Sequence, residues 1–266
     1  MRTALVTGAS SGIGAACASR LISAGWRVFA GVRRAGDAPR GAEEILLDVT
    51  DESQIRAAAN GIEQLDALVN NAGIAIAMPL EFIPLDELRR QLEVNVIGQV
   101  AVTQAFLPHL RRTRGRIVFV GSIAGKSALP FLGAYAASKH ALEAIADALR
   151  IELRPFGIAV SLVEPGTIRT PIWEKSAAVA DSLVSGAPAD LRELYGERIA
   201  AFRRVAAKRG ASGASAEAVA RAVDKALTQE RPSTRKLIGR DAKLRAGVER
   251  LPDRIRDSVY ERVLLR

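Results

Sequence analysis

Within the first 25 residues a short, largely apolar run, Thr3–Thr7, meets three closely spaced glycines, Gly8, Gly12 and Gly14. An alanine-rich stretch, Ala15–Ala24, follows and is stopped by Gly25. A run without polar alternation suits a strand buried on both faces, and the alanine-rich stretch has helical period. Strand, glycine turn and helix in that order form the opening unit of a doubly wound sheet. The glycines let the backbone turn tightly and approach a ligand closely. The helix start leaves N–H donors free, which suits a pyrophosphate. The spacing is Gly-x-x-x-Gly-x-Gly, not the commoner Gly-x-Gly-x-x-Gly.

The same alternation continues. Arg27–Val32 reads as a second strand ending in Arg33-Arg34, Glu44–Val49 as a third ending in Asp48-Val49, and Asp66–Val69 as a fourth running into Asn70-Asn71-Ala72-Gly73. Gly115–Ser122 and Ile158–Val163 give two more, and Lys236–Gly239 a short last one. Between them lie helical patterns at Asp51–Gly61, Asp86–Leu110, Tyr135–Leu153 and Ser215–Thr228. The expected fold is therefore α/β: a single-domain (1–266), doubly wound (Rossmann) parallel sheet of about seven strands with helices on both faces. Residues 172–210 mix apolar, charged and Gly/Pro positions without strong caps, and read as a connection that serves as a substrate lid. Residues 240–266 form a charged C-terminal extension with amphipathic helical fragments.

Composition closes off several classes. With 48% hydrophobic and 25% charged residues the chain is an ordinary globular protein, and no apolar run reaches the length of a membrane span. The N-terminus enters the glycine turn too soon for a signal peptide, and the single cysteine, Cys17, fits a reducing compartment; a cytoplasmic location is expected. The net charge of +9 lies entirely beyond residue 195, where 18 Lys/Arg face 9 Asp/Glu. That excess is neither blocked nor interleaved with aromatics, so it reads as a solvated face and not a nucleic-acid site.

The chemistry concentrates at Tyr135-Ala-Ala-Ser-Lys139, with Ser122 upstream at the end of the fifth strand, where ligands bind in open α/β sheets. Tyr and Lys four apart share one face of a helix. An adjacent ammonium favours the phenolate, so Tyr135 is expected to give and take a proton nearer neutral pH than a free phenol. Asn95 lies in an apolar stretch and must find partners, as a structural tie or in a polar network at the site. Where NAD-binding sheets put an acid about 20 residues after the glycines, this chain has Arg33 and Arg34. Two guanidiniums suit the 2′-phosphate of NADP, although exposed loops also carry such charges. The two histidines, His109 and His140, lie on different helices with surface roles, and no metal site is expected.

Together these motifs resemble the short-chain dehydrogenase/reductase family from about Thr3 to Thr170. They are Thr7-Gly8-Ala9-Ser10-Ser11-Gly12-Ile13-Gly14, Asp48, Asn70-Asn71-Ala72-Gly73, Asn95, Ser122, Tyr135-Ala-Ala-Ser-Lys139 and Pro165-Gly166. The resemblance implies that Gly8, Ser10, Ser11, Gly12, Ile13 and Gly14 hold the pyrophosphate and adenosine ribose. It sets Asp48 and Val49 against the adenine, and Asn71, Ala72 and Gly73 against its ribose. Pro165, Gly166, Ile168 and Thr170 would hold the carboxamide. Arg33 matches the position that selects NADP, while Ser11 stands where many NADP-preferring members place a second basic residue; NADP is favoured over NAD.

The implied mechanism has Ser122 orient the substrate oxygen and Tyr135 exchange its proton. Lys139 would lower the Tyr135 pKa and grip the nicotinamide ribose, and Asn95 would complete a proton path through water. The Val163–Ile172 stretch and the long C-terminal region resemble the branch acting on steroids, retinoids and other lipophilic alcohols. An apolar lid of Ile172, Trp173, Leu183, Val184 and Phe202 would suit such substrates, or would merely pack the loop on the core. A β-ketoacyl thioester or small-carbonyl reductase is the alternative enzyme, and a non-catalytic nucleotide-sensing protein the alternative class. Family members commonly pair through the helices corresponding to Asp86–Leu110 and Gly133–Arg154, so a homodimer or homotetramer is expected.

Overall fold

The computed structural model describes residues 1–265, the side chains of Arg209 and Ala211 apart. The expected C-terminal extension therefore closes on a residue, Arg266, outside the described ones. The strands are β1 (Thr3–Thr7), β2 (Arg27–Val32), β3 (Glu43–Leu46), β4 (Ala67–Asn70), β5 (Arg116–Val120), β6 (Ala159–Pro165), the two-residue β7 (Ile168–Arg169) and β8 (Ala214–Ser215), and β9 (Arg235–Ile238). Helices are α1 (Gly12–Ser23), α2 (Glu52–Gly61), α3 (Leu85–Leu92), α4 (Gly98–Thr113), α5 (Gly133–Glu152), α6 (Ile172–Ser185), α7 (Ala189–Ser212), α8 (Ala216–Thr228), α9 (Arg240–Val248) and α10 (Asp253–Leu264). Seven strands make one parallel sheet in the order β3-β2-β1-β4-β5-β6-β9, which is the doubly wound sheet expected.

Period-two alternation along fully buried strands explains why helices cover both faces. Ala4, Val6, Val28, Ala30, Val69, Val118 and Val120 point one way, onto Cys17 and Leu21 of α1 and Val219, Val223 and Leu227 of α8. Leu5, Phe29, Leu68, Ile117, Phe119 and Leu162 point the other way, onto Ile55 of α2, Phe106 and Leu110 of α4 and Leu142 of α5. The small residues face α1 and α8 and the large ones face α2, α4 and α5. A shift of one residue would overfill one side and hollow the other.

Three expectations need correction. Asp86–Leu110 is not one regular helix: α3 passes through a π turn at Glu93–Ile97 before α4 begins at Gly98. At that point the helix backbone lies against the segment just after β3, and a Cβ at Gly98 would stand 2.6 Å from the Val49 carbonyl oxygen. The third strand stops at Leu46, short of Val49, because the Asp48 amide turns to donate to Gln54 Oε1 (2.8 Å). The 172–210 stretch is two helices, α6 and α7, where the lack of caps suggested loop; Pro171 and Pro188 stand at their starts. Pro is compatible with a helix start because the N–H it lacks there has no intrahelical partner. The π turn makes a stability prediction: Gly98→Ala lowers the unfolding free energy by about 1–3 kcal/mol through overpacking on Val49. A denaturant titration checks it, with Gly61→Ala as control, since a Cβ there meets nothing within 4 Å.

Candidate active site

The glycine turn is built by backbone needs. Gly8 and Gly12 have φ of +64° and +57°, the left-handed region where a side chain is strained. A Cβ on Gly14 would fall 2.2 Å from the Gly8 carbonyl oxygen, so α1 can lie against its own approach loop only as glycine. Asn71 closes the turn from the β4 side, its Nδ2 donating to the Thr7 carbonyl at 2.9 Å and the Gly8 carbonyl at 3.1 Å. The Thr7 hydroxyl accepts from the Asn71 and Ala72 amides, both at 3.0 Å. Ser11 precedes α1 without a side-chain capping bond, and Ser10 is exposed. The first N–H groups of α1 therefore keep their free donors. Thr170 rests on the same turn, its Cβ 3.2 Å from the place of a Gly12 side chain, so the glycine turn and the Pro165–Thr170 loop face each other across one cleft.

At the sheet edge of that cleft Arg33 and Arg34 are exposed, and neither guanidinium makes a hydrogen bond or ion pair among the described residues. Their loop is held instead by Glu44, whose carboxylate accepts from the amides of Gly36 (2.9 Å) and Ala38 (3.2 Å). Asp48 accepts from the Thr50 amide and hydroxyl (3.0 and 2.8 Å), and Val49 beside it is buried. Free helix-terminal donors, glycines at a close approach and two unpaired guanidiniums form a donor set that fits the phosphates of a nicotinamide dinucleotide.

Ser122, Tyr135 and Lys139 come together at the C-terminal end of β5. Ser122 caps the short turn Ile123–Gly125, its Oγ accepting from the Ala124 amide at 3.1 Å and donating to the Pro165 carbonyl at 3.4 Å. Lys139 is buried, its Nζ giving a hydrogen bond to the Val120 carbonyl at 3.0 Å and lying 5.7 Å from the Tyr135 ring centroid. Burial lowers the Lys139 pKa to about 8. The expected depression of Tyr135 is not what the structure gives. Burial raises the phenol above its ordinary value, with the Ser122 hydrogen bond and the Arg245 charge acting the other way. The ammonium is committed to a backbone carbonyl rather than to the phenol.

Asn95 joins the segment after β4 to α5. Its Oδ1 accepts from the Ile74 amide (2.8 Å), and its Nδ2 donates to the Ile74 carbonyl (2.9 Å) and the Ser138 Oγ (3.0 Å). Ser138 in turn donates to the Tyr135 carbonyl at 2.7 Å. One turn earlier Gln91 repeats the pattern on Ile76 N and Ile74 O, so two amide side chains stand in for a neighbouring strand. The π turn sets Asn95 in this place. Gln91, Ser138 and Thr7 were missed from sequence, although Ser138 lies inside the Tyr135–Lys139 motif and Gln91 is one helical turn from Asn95.

Behind these groups a charged cluster joins three elements. Lys126 contacts Glu164, buried in β6, and Glu143, one turn past Lys139 on α5. Arg235 of β9 pairs with Glu143 (2.9 Å) and Asp147 (2.6 Å). In front of them opens a cavity of about 810 Å³ onto which Ser122 and Tyr135 face. Its wall includes Leu129, Phe131, Trp173, Val184, Phe202 and Leu264. Ile172 packs with Trp173 on Tyr135, whereas Leu183 joins a separate cluster with Ile76 and Met78. Ile168 and Gly166 line the cavity floor with Thr170. His140 is exposed as expected, but His109 is half-buried against Phe106, and burial lowers its pKa. Cys17 is buried and pushed up to about 12. Among the described residues no group of His, Cys, Asp and Glu could hold a metal, and no helix is long and apolar enough to cross a membrane.

Comparison with known proteins places this arrangement. An NADPH-dependent 3-dehydrocapnine reductase from Ornithobacterium rhinotracheale is 36% identical, with 98% of this chain and 96% of that protein covered. A 17-beta-hydroxysteroid dehydrogenase type 6 from Bos taurus is 36% identical over 89% of this chain and 80% of its own length. The crystal structure of a short chain dehydrogenase/reductase from Burkholderia phymatum in complex with NAD superposes with a TM-score of 0.79 at 26% identity, covering 97% of this chain and 95% of that one. The short chain dehydrogenase family model matches residues 2–180, with the glycine turn, Asn95, Ser122 and the Tyr135–Lys139 pair all inside the match. The chain is a member of the short-chain dehydrogenase/reductase family, an oxidoreductase acting on CH–OH and carbonyl groups with a nicotinamide cofactor.

Proposed function

We propose that this protein interconverts lipophilic secondary alcohols and ketones, steroid- or retinoid-like in size, with NADP(H) and with Tyr135 as general acid and base. The observation that carries the reading is the apolar cavity opening onto the Ser122 and Tyr135 hydroxyls. The free guanidiniums of Arg33 and Arg34 support NADP, as does the NADPH dependence in the name of the O. rhinotracheale relative. Helices α6 and α7, with Trp173, Val184 and Phe202 on the wall, serve as the lid. The guanidiniums of Arg169 and Arg245 in the same wall favour a second reading, reduction of carbonyls that carry an anionic group, such as acyl thioesters on a phosphorylated carrier.

The bound nicotinamide supplies or accepts the hydride. Gly8, Ser10–Gly14, Asp48, Val49, Asn71–Gly73 and the Pro165–Thr170 loop would hold it, and Lys139 would reach its ribose. Ser122 donates to the substrate oxygen and fixes its direction. In reduction the Tyr135 O–H passes its proton to that oxygen, leaving a phenolate that the nearby Lys139 charge stabilises; in oxidation the phenolate takes the proton back. A phenol kept neutral by burial is suited to the donor role at neutral pH. The exposed Ile97 and Ile151, on the helices expected to pair, support a homodimer or homotetramer.

A panel of steroids, retinoids, aliphatic ketones and acyl thioesters with both cofactors tests the reading, and no turnover on the lipophilic members overturns it. Tyr135→Phe is expected to slow turnover by about 10²–10⁴-fold. Because Lys139 is charged below about 8 and neutral above it, ketone reduction should fall as pH rises through that value. That limb should vanish in Lys139→Met. Arg33→Asp should cut the NADP-over-NAD preference, measured as kcat/KM, by about tenfold or more. Phe131 holds φ of +65° in the cavity wall, with its ring against Tyr195 and Phe202. Phe131→Gly removes both the strain and the ring, so kcat/KM for bulky over compact ketones should rise about tenfold.

A further inference from the structure

Helix α9 lies outside the region matched by the family model, in the charged C-terminal extension. Two of its side chains, one turn apart on one face, nevertheless grip the two loops that meet at the site. Asp241 Oδ2 accepts from the Thr167 amide at 2.6 Å. Its Oδ1 fills the space where a side chain on Gly166 or Gly239 would begin, 2.3 and 2.6 Å from those Cβ positions, so both glycines are fitted to this carboxylate. Arg245 donates through Nε and Nη2 to the Ser127 hydroxyl (3.2 and 3.0 Å) and through Nη2 to the Ser127 carbonyl (2.8 Å). Ser127 is fully buried, and its amide donates to the Ile123 carbonyl (3.0 Å), in the turn that Ser122 caps. Tyr260 of α10 closes the far side, its hydroxyl 2.8 Å from Ser127 Oγ and donating to Glu249 at 2.6 Å.

We propose that α9 is a brace for the reaction site, with Asp241 and Arg245 as positioning residues that fix the Gly166–Thr170 loop relative to the Ser122 turn. This rests on reading those loops as the cofactor and substrate walls. Gly166 and Thr167 form part of the cavity floor and Arg245 part of its wall, so a slip at either grip displaces lining atoms directly. The strand ladder (Gly121 amide to Val163 carbonyl, 2.8 Å) and the Lys126–Glu164 pair hold the roots of the two loops. Beyond Glu164 the direct hydrogen bond between them among the described residues is the long Ser122–Pro165 contact of 3.4 Å, a weak constraint. A charge-assisted bond to Thr167 and a forked guanidinium on Ser127 are stronger and more directional. An error of about 1 Å in such walls is large on the scale of hydride placement.

The test compares the full-length parent with Asp241→Ala, Asp241→Asn and Arg245→Ala. NADPH binding is followed by fluorescence, 2′,5′-ADP binding by calorimetry, and loop opening by hydrogen exchange of peptides spanning 164–171 and 121–128. The fragment 2′,5′-ADP lacks the nicotinamide half, the part that this reading sets against the Gly166 loop. Asp241→Ala is expected to weaken NADPH about tenfold while 2′,5′-ADP stays unchanged, with faster exchange confined to 164–171. Asp241→Asn should recover most of both, since its amide oxygen can still accept from Thr167. Arg245→Ala should speed exchange in 121–128 and leave 2′,5′-ADP binding alone. Equal loss of NADPH and 2′,5′-ADP, faster exchange across the whole sheet, or unchanged exchange in both loops each overturns the brace. If the parent binds NADH and ADP more tightly, the same comparison is made with that pair. A parent that binds cofactor but reduces none of the ketones sinks the substrate reading and leaves these comparisons intact.

Discussion

Backbone N–H and C=O groups lose their ladder partners where a parallel strand ends, and in a buried cleft water cannot replace them cheaply. At the C-terminal end of this sheet many such groups are satisfied by side chains. Asn71 serves the carbonyls of Thr7 and Gly8, Thr7 serves the amides of Asn71 and Ala72, and Asn95 with Gln91 serves Ile74 and Ile76. Lys139 serves Val120, Ser122 serves Ala124, and Asp241 serves Thr167. The residues that chemistry would use are the ones that finish the sheet. Several of them therefore cannot be assigned to catalysis or to structure alone.

Lys139 shows how these demands combine. Its stem is buried on the way to the Val120 carbonyl, and desolvation by that burial lowers its pKa to about 8. Tyr135, in the same interior, moves upward. A Tyr–Lys pair four apart on an exposed helix would not show opposite displacements of this kind, because water would screen both. Burial sets the direction of both shifts, and proximity adjusts them.

The order of elements was legible because it follows from local pattern. Buried strands of Val, Ile, Leu and Ala between helices of clear period leave little choice but a parallel sheet, and the positive φ of Gly8 and Gly12 bears out the turn read from the glycines. The convergence of Ser122, Tyr135 and Lys139 was legible too, since strand ends and a helical i,i+4 spacing fix their places. What escaped was non-local. The sign of the Tyr135 shift depends on how dry its surroundings are, which spacing does not state. The π turn at Glu93–Ile97 depends on the approach of Gly98 to Val49 across the fold. Asp241 looks like a routine acid in a first helical turn until its partner 74 positions away is known. The uncapped 172–210 stretch looked like loop because its helices are held by packing rather than by terminal signals.

The ion cluster behind the cavity restricts how such a chain can be recombined. Arg235, in the C-terminal quarter, is electrically matched to Glu143 and Asp147 in the middle of the sequence, and Glu164 is neutralised by Lys126. A tail borrowed from a cousin that lacks arginine there would leave the half-buried Glu143 and Asp147 short of one counter-charge, at a cost of about 1 kcal/mol. Shuffling between relatives is therefore easier when both halves of this ionic lock travel together, and crossover points between residues 164 and 235 carry a penalty that has nothing to do with substrate.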